Sequence, residues 1–203
     1  MSRWRIASIL VFSLVGVGAL GAAMLTGGGA RARASRASSA TRASLISRSI
    51  SRTTRTFAFL ARQTSNSCGL EPTALATMPD RMRLQGSCCF PMNRAAYRGQ
   101  VRGLRAYSNI SAIPQDPYDV PISLAKRLLD YDQTIRLNPA GARTYARAMR
   151  MSSTKGPCCC GCWRWYAFRG LSKYLIADLA WRPAAVAAVI DLVEGCGGPT
   201  ETA

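Results

Sequence analysis

The sequence predicts an all-α fold, a small bundle of four to five short helices after a disordered basic N-terminal region. Apolar residues recur at helical spacing in segment after segment from about Leu84 onward. Proline and asparagine stand where helices begin, and no stretch alternates convincingly as a strand.

The first helix of the folded part shows Tyr97, Val101 and Leu104 on one face. Residues 108–121 carry Pro114, Pro117 and Pro121 and read as a rigid loop, with Asp116 and Asp119 serving the turn before the next helix. Pro121 fits the first turn of that helix, and Leu124, Leu128, Tyr131 and Ile135 form its core stripe. It should end before Asn138-Pro139, an N-cap and first-turn pair opening a helix with Ala142, Tyr145, Ala146 and Met149 inward. The next helix places Trp165, Phe168, Ser172 and Leu175 on one side and Trp163, Tyr166, Gly170 and Tyr174 on another, so it should be largely buried. Arg164, between two tryptophans, could make a cation–π contact or be an ordinary helical surface arginine near aromatic rings. Pro183 opens a last helix with Val186, Val189, Ile190 and Val193 inward and Gly195 as its C-cap.

The chain has 203 residues and a net charge of +17. Its first 70 residues contain ten Arg and no acidic residue. Arg3 and Arg5 precede the uncharged stretch 6–25, long enough to cross a bilayer and also patterned like an export signal. Residues 1–26 are therefore read as a signal peptide or membrane anchor. Residues 27–83 are read as a basic linker with an amphipathic helix expected at 43–63, and 84–199 as a cysteine-rich helical domain. Arg48, Arg52, Arg55 and Arg62 would lie opposite Ile46, Ile50, Thr53, Phe57 and Leu60, a pattern suited to an anionic membrane surface. Arg31, Arg33, Arg36 and Arg42 argue for the opposite, cytoplasm-facing orientation by the positive-inside rule. Export is the favoured expectation. No nucleic-acid-reading module accompanies the basic charge, so no nucleic-acid partner is expected.

Chemistry is concentrated in Cys158-Cys159-Cys160-Gly161-Cys162, half of the eight cysteines in a chain without histidine. The lack of histidine excludes Ser-His-Asp and Cys-His catalysis and Cys2His2 zinc binding. No nucleophile–base pair is evident, and no enzymatic activity is expected. Soft thiolates select Cu(I) or Zn(II). Cys159 and Cys162 have Cys-x-x-Cys spacing, while Cys160 and Cys162 suit a Cu(I)-binding Cys-x-Cys pair. Cys158, Cys160 and Cys162 are the leading ligands, with Cys159 and Cys196 as alternates. Two other readings use the same sulfur. One is a disulfide-stapled interaction module, in which Cys88, Cys89 and Cys196 cross-link to the cluster. The other is a thiol–disulfide oxidoreductase.

Pro157-Cys158-Cys159-Cys160-Gly161-Cys162 resembles the motif of the PCYCGC family, small exported bacterial proteins that are often lipoproteins and whose cysteines suggest metal handling. The helix containing Tyr145 before the motif and the helix from Pro183 after it match that arrangement over roughly the last sixty residues. At Leu25-Thr26-Gly27-Gly28 the chain is similar to a lipoprotein box in which Gly28 replaces the acylated cysteine. The resemblance implies an extracytoplasmic thiol-rich domain. Cys159 replaces the tyrosine of the motif and Trp163-Arg164-Trp165 stands where histidines usually follow, so an all-sulfur site is implied.

Overall fold

A computed structural model describes residues 44, 45, 47, 48 and 50–197. The apolar stretch 6–25, and with it the signal or anchor reading, lies outside the described residues. Among the described residues, no helix is long and apolar enough to cross a membrane.

The compact unit that carries the site begins at Ser47. It is mostly helical, as the apolar periodicity predicts, with seven α-helices among the described residues: α1 (residues 50–60), α2 (Pro72–Thr77), α3 (Arg94–Leu104), α4 (Ile122–Thr134), α5 (Pro139–Met151), α6 (Trp163–Ala177) and α7 (Pro183–Val193). Two three-residue strands, β1 (Arg83–Gln85) and β2 (Asp119–Pro121), pair antiparallel with Leu84 opposite Val120. This sheet was not expected, because three residues are too few to display alternation. Its two central side chains are fully buried, and Arg83 closes it from outside by a 2.5 Å ion pair with Asp119.

The folded unit extends well before residue 84. Leu75 joins the main core, and Leu60 packs with Tyr97 and Tyr118 in a second small cluster. The C-terminal part of α1 thus spends its apolar face on this protein, with Phe57 against Tyr97, while Ile50 remains exposed. Residues 50–83, within the segment expected as linker, contribute to both clusters.

Helix starts follow local chemistry. The Asn93 side chain accepts from the amides of Ala95 and Ala96, and that of Asn138 accepts from Gly141, with Pro139 behind it. Such caps satisfy amides that a helix leaves unpaired. Pro121 is the N-cap of α4 and not part of its first turn. The α5 face is rotated from the expected stripe: Ala148 and Met149 are buried, whereas Ala142 and Ala146 are exposed.

Helix α4 packs chiefly on α6, and α5 and α3 on α7. The α4–α6 crossing is close because Gly170 has no side chain: a Cβ there would sit 2.0 Å from the Leu128 carbonyl oxygen. Beside it, Asp132 accepts two 2.6 Å bonds from Arg169 and pairs with Lys173 at 2.9 Å. Asp130, by contrast, is exposed.

Candidate metal centre

Three stretches of chain deliver the sulfur. Residues 158–162 form the loop entering α6, whose N-cap is Cys162. Trp163 anchors this loop: its amide donates to Leu70 O, and its indole Nε1 donates to the buried Asn66 side chain. Cys196 follows α7. Backbone bonds from Cys88 N to Gly195 O and from Cys89 N and Phe90 N to Cys196 O tie that end to the Cys88-Cys89 segment. Cys68 joins through its amide and thiol, both donating to Cys88 O. Gly197 has φ +74°, and a Cβ there would lie 2.1 Å from Phe90 O, so the turn after Cys196 requires glycine. Gly195 is needed for a different reason than the capping expected. The cap is Glu194, and Gly195 makes room for the Arg164 guanidinium, 2.5 Å from where its Cβ would stand.

The result is one continuous assembly of all eight cysteines. Cys196 Sγ lies 2.9 Å from Cys159, 3.3 Å from Cys158 and 3.4 Å from Cys88. Cys89 Sγ lies 3.4 Å from Cys88, 3.7 Å from Cys159 and 3.9 Å from Cys160. The Cys162 thiol meets those of Cys88, Cys158 and Cys160, and Cys68 meets Cys89. All eight are free thiols. Cys88, Cys158, Cys162 and Cys196 form a buried floor, with Cys89 and Cys160 half-buried and Cys159 exposed. Beside Cys88 and Cys89 opens a cavity of about 220 Å³, lined also by Gln63, Phe90 and Met92.

The five cysteines expected from sequence, Cys158, Cys159, Cys160, Cys162 and Cys196, are all brought together here. Cys68, Cys88 and Cys89 were missing from that ligand set. The Cys88-Cys89 pair enters only the disulfide reading, as cross-links to residues 158–162, and Cys68 enters none of the readings.

The electrostatics favour negative charge on two of the sulfurs, Cys196 and Cys158, while burial pushes the Cys159 and Cys160 thiols up. The Cys196 thiol is held down to about 4 by hydrogen bonds from Cys158 and Cys88, which outweigh burial. Cys158 is lowered to about 6, first by its bond from Cys162. Their neighbours pay the converse: Cys88 is pushed up by its bonds to Cys158, Cys162 and Cys196, and Cys89 to about 12 by burial. Beneath the sulfurs lies Arg164, fully buried and not on the surface as expected. It donates to the carbonyls of Val193 (3.1 Å) and Pro117 and stacks over Trp163 and Phe168. None of the salt bridges among the described residues includes it, and its Nε has no partner. A buried cation without a direct salt bridge calls for nearby negative charge, and the guanidinium acts in that sense on the half-buried Asp116 carboxylate and on Cys88.

Groups of three sulfurs lie within 4.8 Å of one another, near enough to hold a metal ion. A metal–sulfur bond of about 2.3 Å gives an S···S edge of roughly 3.8 Å in a tetrahedral shell and roughly 4.0 Å in a trigonal one. The Cys89 distances to Cys159 and Cys160 fall at these values. The donor set is soft throughout and fits Cu(I) or Zn(II). No protein-family model matches the chain, and no curated protein or solved structure matches it. Its class rests on its own geometry: a mostly helical protein whose cysteines gather into a cluster able to hold metal.

Proposed function

We propose that this protein binds Cu(I) or Zn(II) through cysteine thiolates outside the cytoplasm, for sequestration, delivery or sensing. One observation carries the reading: eight free thiols from distant parts of the chain meet beside a buried arginine that makes no salt bridge among the described residues. Packing alone does not gather sulfur in this way, and a cation beneath the cluster offsets the charge of several thiolates. The buried floor would retain an ion, while exposed Cys159 and the cavity beside Cys89 would let a donor or acceptor thiol reach it. The extracytoplasmic setting and membrane tether are part of the proposal, supported by the apolar stretch 6–25 and by the likeness of residues 157–162 to the PCYCGC motif.

A thiol–disulfide oxidoreductase is the second reading, favoured by the lowered Cys196 and Cys158 thiols. Elemental analysis and thiol titration of the full chain, purified without oxygen, separate the two. Bound copper or zinc, with thiols that become reactive when the metal is chelated, is the expected result. A metal-free protein in which one cysteine pair cycles with a glutathione buffer would replace the first reading by the second.

A further inference from the structure

The sulfurs are grouped in triads that share corners. Cys68, Cys89 and Cys160 form one triad, Cys88, Cys89 and Cys196 another, and Cys158, Cys159 and Cys160 a third. Cys89 belongs to the first two, and Cys160 to the first and last. Separate mononuclear sites would keep their donors apart. Here the two shared sulfurs must serve two ions at once if neighbouring triads are filled together.

Resting on the metal-binding reading above, we propose that the centre holds one polynuclear Cu(I)–thiolate cluster of at least three ions, with Cys89 and Cys160 as bridging thiolates. Donor counting favours Cu(I) over Zn(II). Three tetrahedral zinc ions need roughly twelve donor positions, which eight cysteines supply only if half of them bridge. Three trigonal Cu(I) ions need roughly nine. The seven sulfurs of the triads supply nine with two bridging, and Cys159, close also to Cys89 and Cys196, offers a further shared corner. Cys162, in contact with Cys88, Cys158 and Cys160, is left to complete or add a site on the buried side. Each thiol that coordinates releases its proton to solvent, and copper stays in the +1 state throughout, so no oxidant or reductant enters. Bridging also explains the position of Cys89. It touches Cys88 on the floor and both Cys159 and Cys160 at the rim, and so links the two levels.

The test is an anaerobic titration of the reduced full-length chain with Cu(I) from a weak chelate, followed by native mass spectrometry and X-ray absorption. The expected result is cooperative filling to three or more copper ions per chain, with all-sulfur coordination and a short copper–copper scattering path. Cys89→Ser and Cys160→Ser should each lower the stoichiometry by about two, and Cys68→Ser by about one, because corner sulfurs serve two ions. One or two isolated ions without a copper–copper path would overturn the cluster while leaving thiolate metal binding intact. Failure to bind either Cu(I) or Zn(II) tightly would overturn both. The absorption measurement on the unsubstituted chain decides the matter even if a serine variant misfolds.

Discussion

Arg164 shows how one side chain can serve packing and charge together. Its guanidinium lies under the sulfurs, between the rings of Trp163 and Phe168, and ties the start of α6 to the end of α7 through Val193 O. Replacing it with methionine keeps much of the volume but strands the Val193 and Pro117 carbonyls, at about 1–3 kcal/mol for each buried acceptor left unpaired. It also removes the cation that offsets thiolate charge. Arg164→Met should therefore lower the urea midpoint and weaken Cu(I) or Zn(II) binding at least tenfold, about 1.4 kcal/mol, in a chelator competition. Stability loss with unchanged affinity would make Arg164 a packing residue only. The sequence places it between tryptophans at a helix start, and a periodic pattern cannot tell that the guanidinium turns inward.

Among the elements, the α4–α6 crossing depends on contact between backbones. Gly170→Ala would drive a methyl into Leu128 O and toward Asp132 N, neither of which is the end of a flexible side chain. Overpacking of this kind costs about 1–3 kcal/mol, and the Asp132–Arg169–Lys173 network beside it should loosen as well. Gly99, in α3, has open space around its missing Cβ. Gly99→Ala should instead stabilise by about 0.5–1 kcal/mol, from the lower entropy of the unfolded chain. Opposite shifts in melting temperature are the expected outcome, and a destabilised Gly99→Ala would contradict the open surface seen there. At this scale much was legible in the sequence. The Asn138-Pro139 start, the α7 stripe and the burial of α6 follow from local patterns. The α5 face and the β1–β2 pair do not, because both depend on what the rest of the chain presents to them.

For the molecule as a whole, the thiol cluster couples folding to protons. An unfolded cysteine titrates near 8.5, whereas Cys196 in the folded chain is held at about 4 by its hydrogen bonds from Cys158 and Cys88. Between those values the unfolded state binds more protons than the native state, so stability rises with pH. The contribution is complete above the unfolded value and is lost as pH falls toward about 4. Urea unfolding of the reduced, metal-free protein should show a midpoint that climbs from pH 5.5 to pH 7.5, below the range where the raised thiols of Cys88, Cys89, Cys159 and Cys160 favour the unfolded state. A flat or falling profile would mean that Cys196 is a neutral thiol in the native state.

The sequence by itself determined the helical class, the starts of α5 and α7, and a dense thiol motif at 158–162 in a chain with no histidine. These are local facts, fixed by propensity, capping and composition. Only the tertiary structure decided that Cys68, Cys88 and Cys89 complete the set. It did so through backbone hydrogen bonds between residues 88–90 and 195–196, which bring Cys88 to Cys196 across 108 positions of chain. Such proximity is set by how whole helices pack, through the missing side chains of Gly170, Gly195 and Gly197 and the inward turn of Arg164, and no short stretch of sequence encodes it.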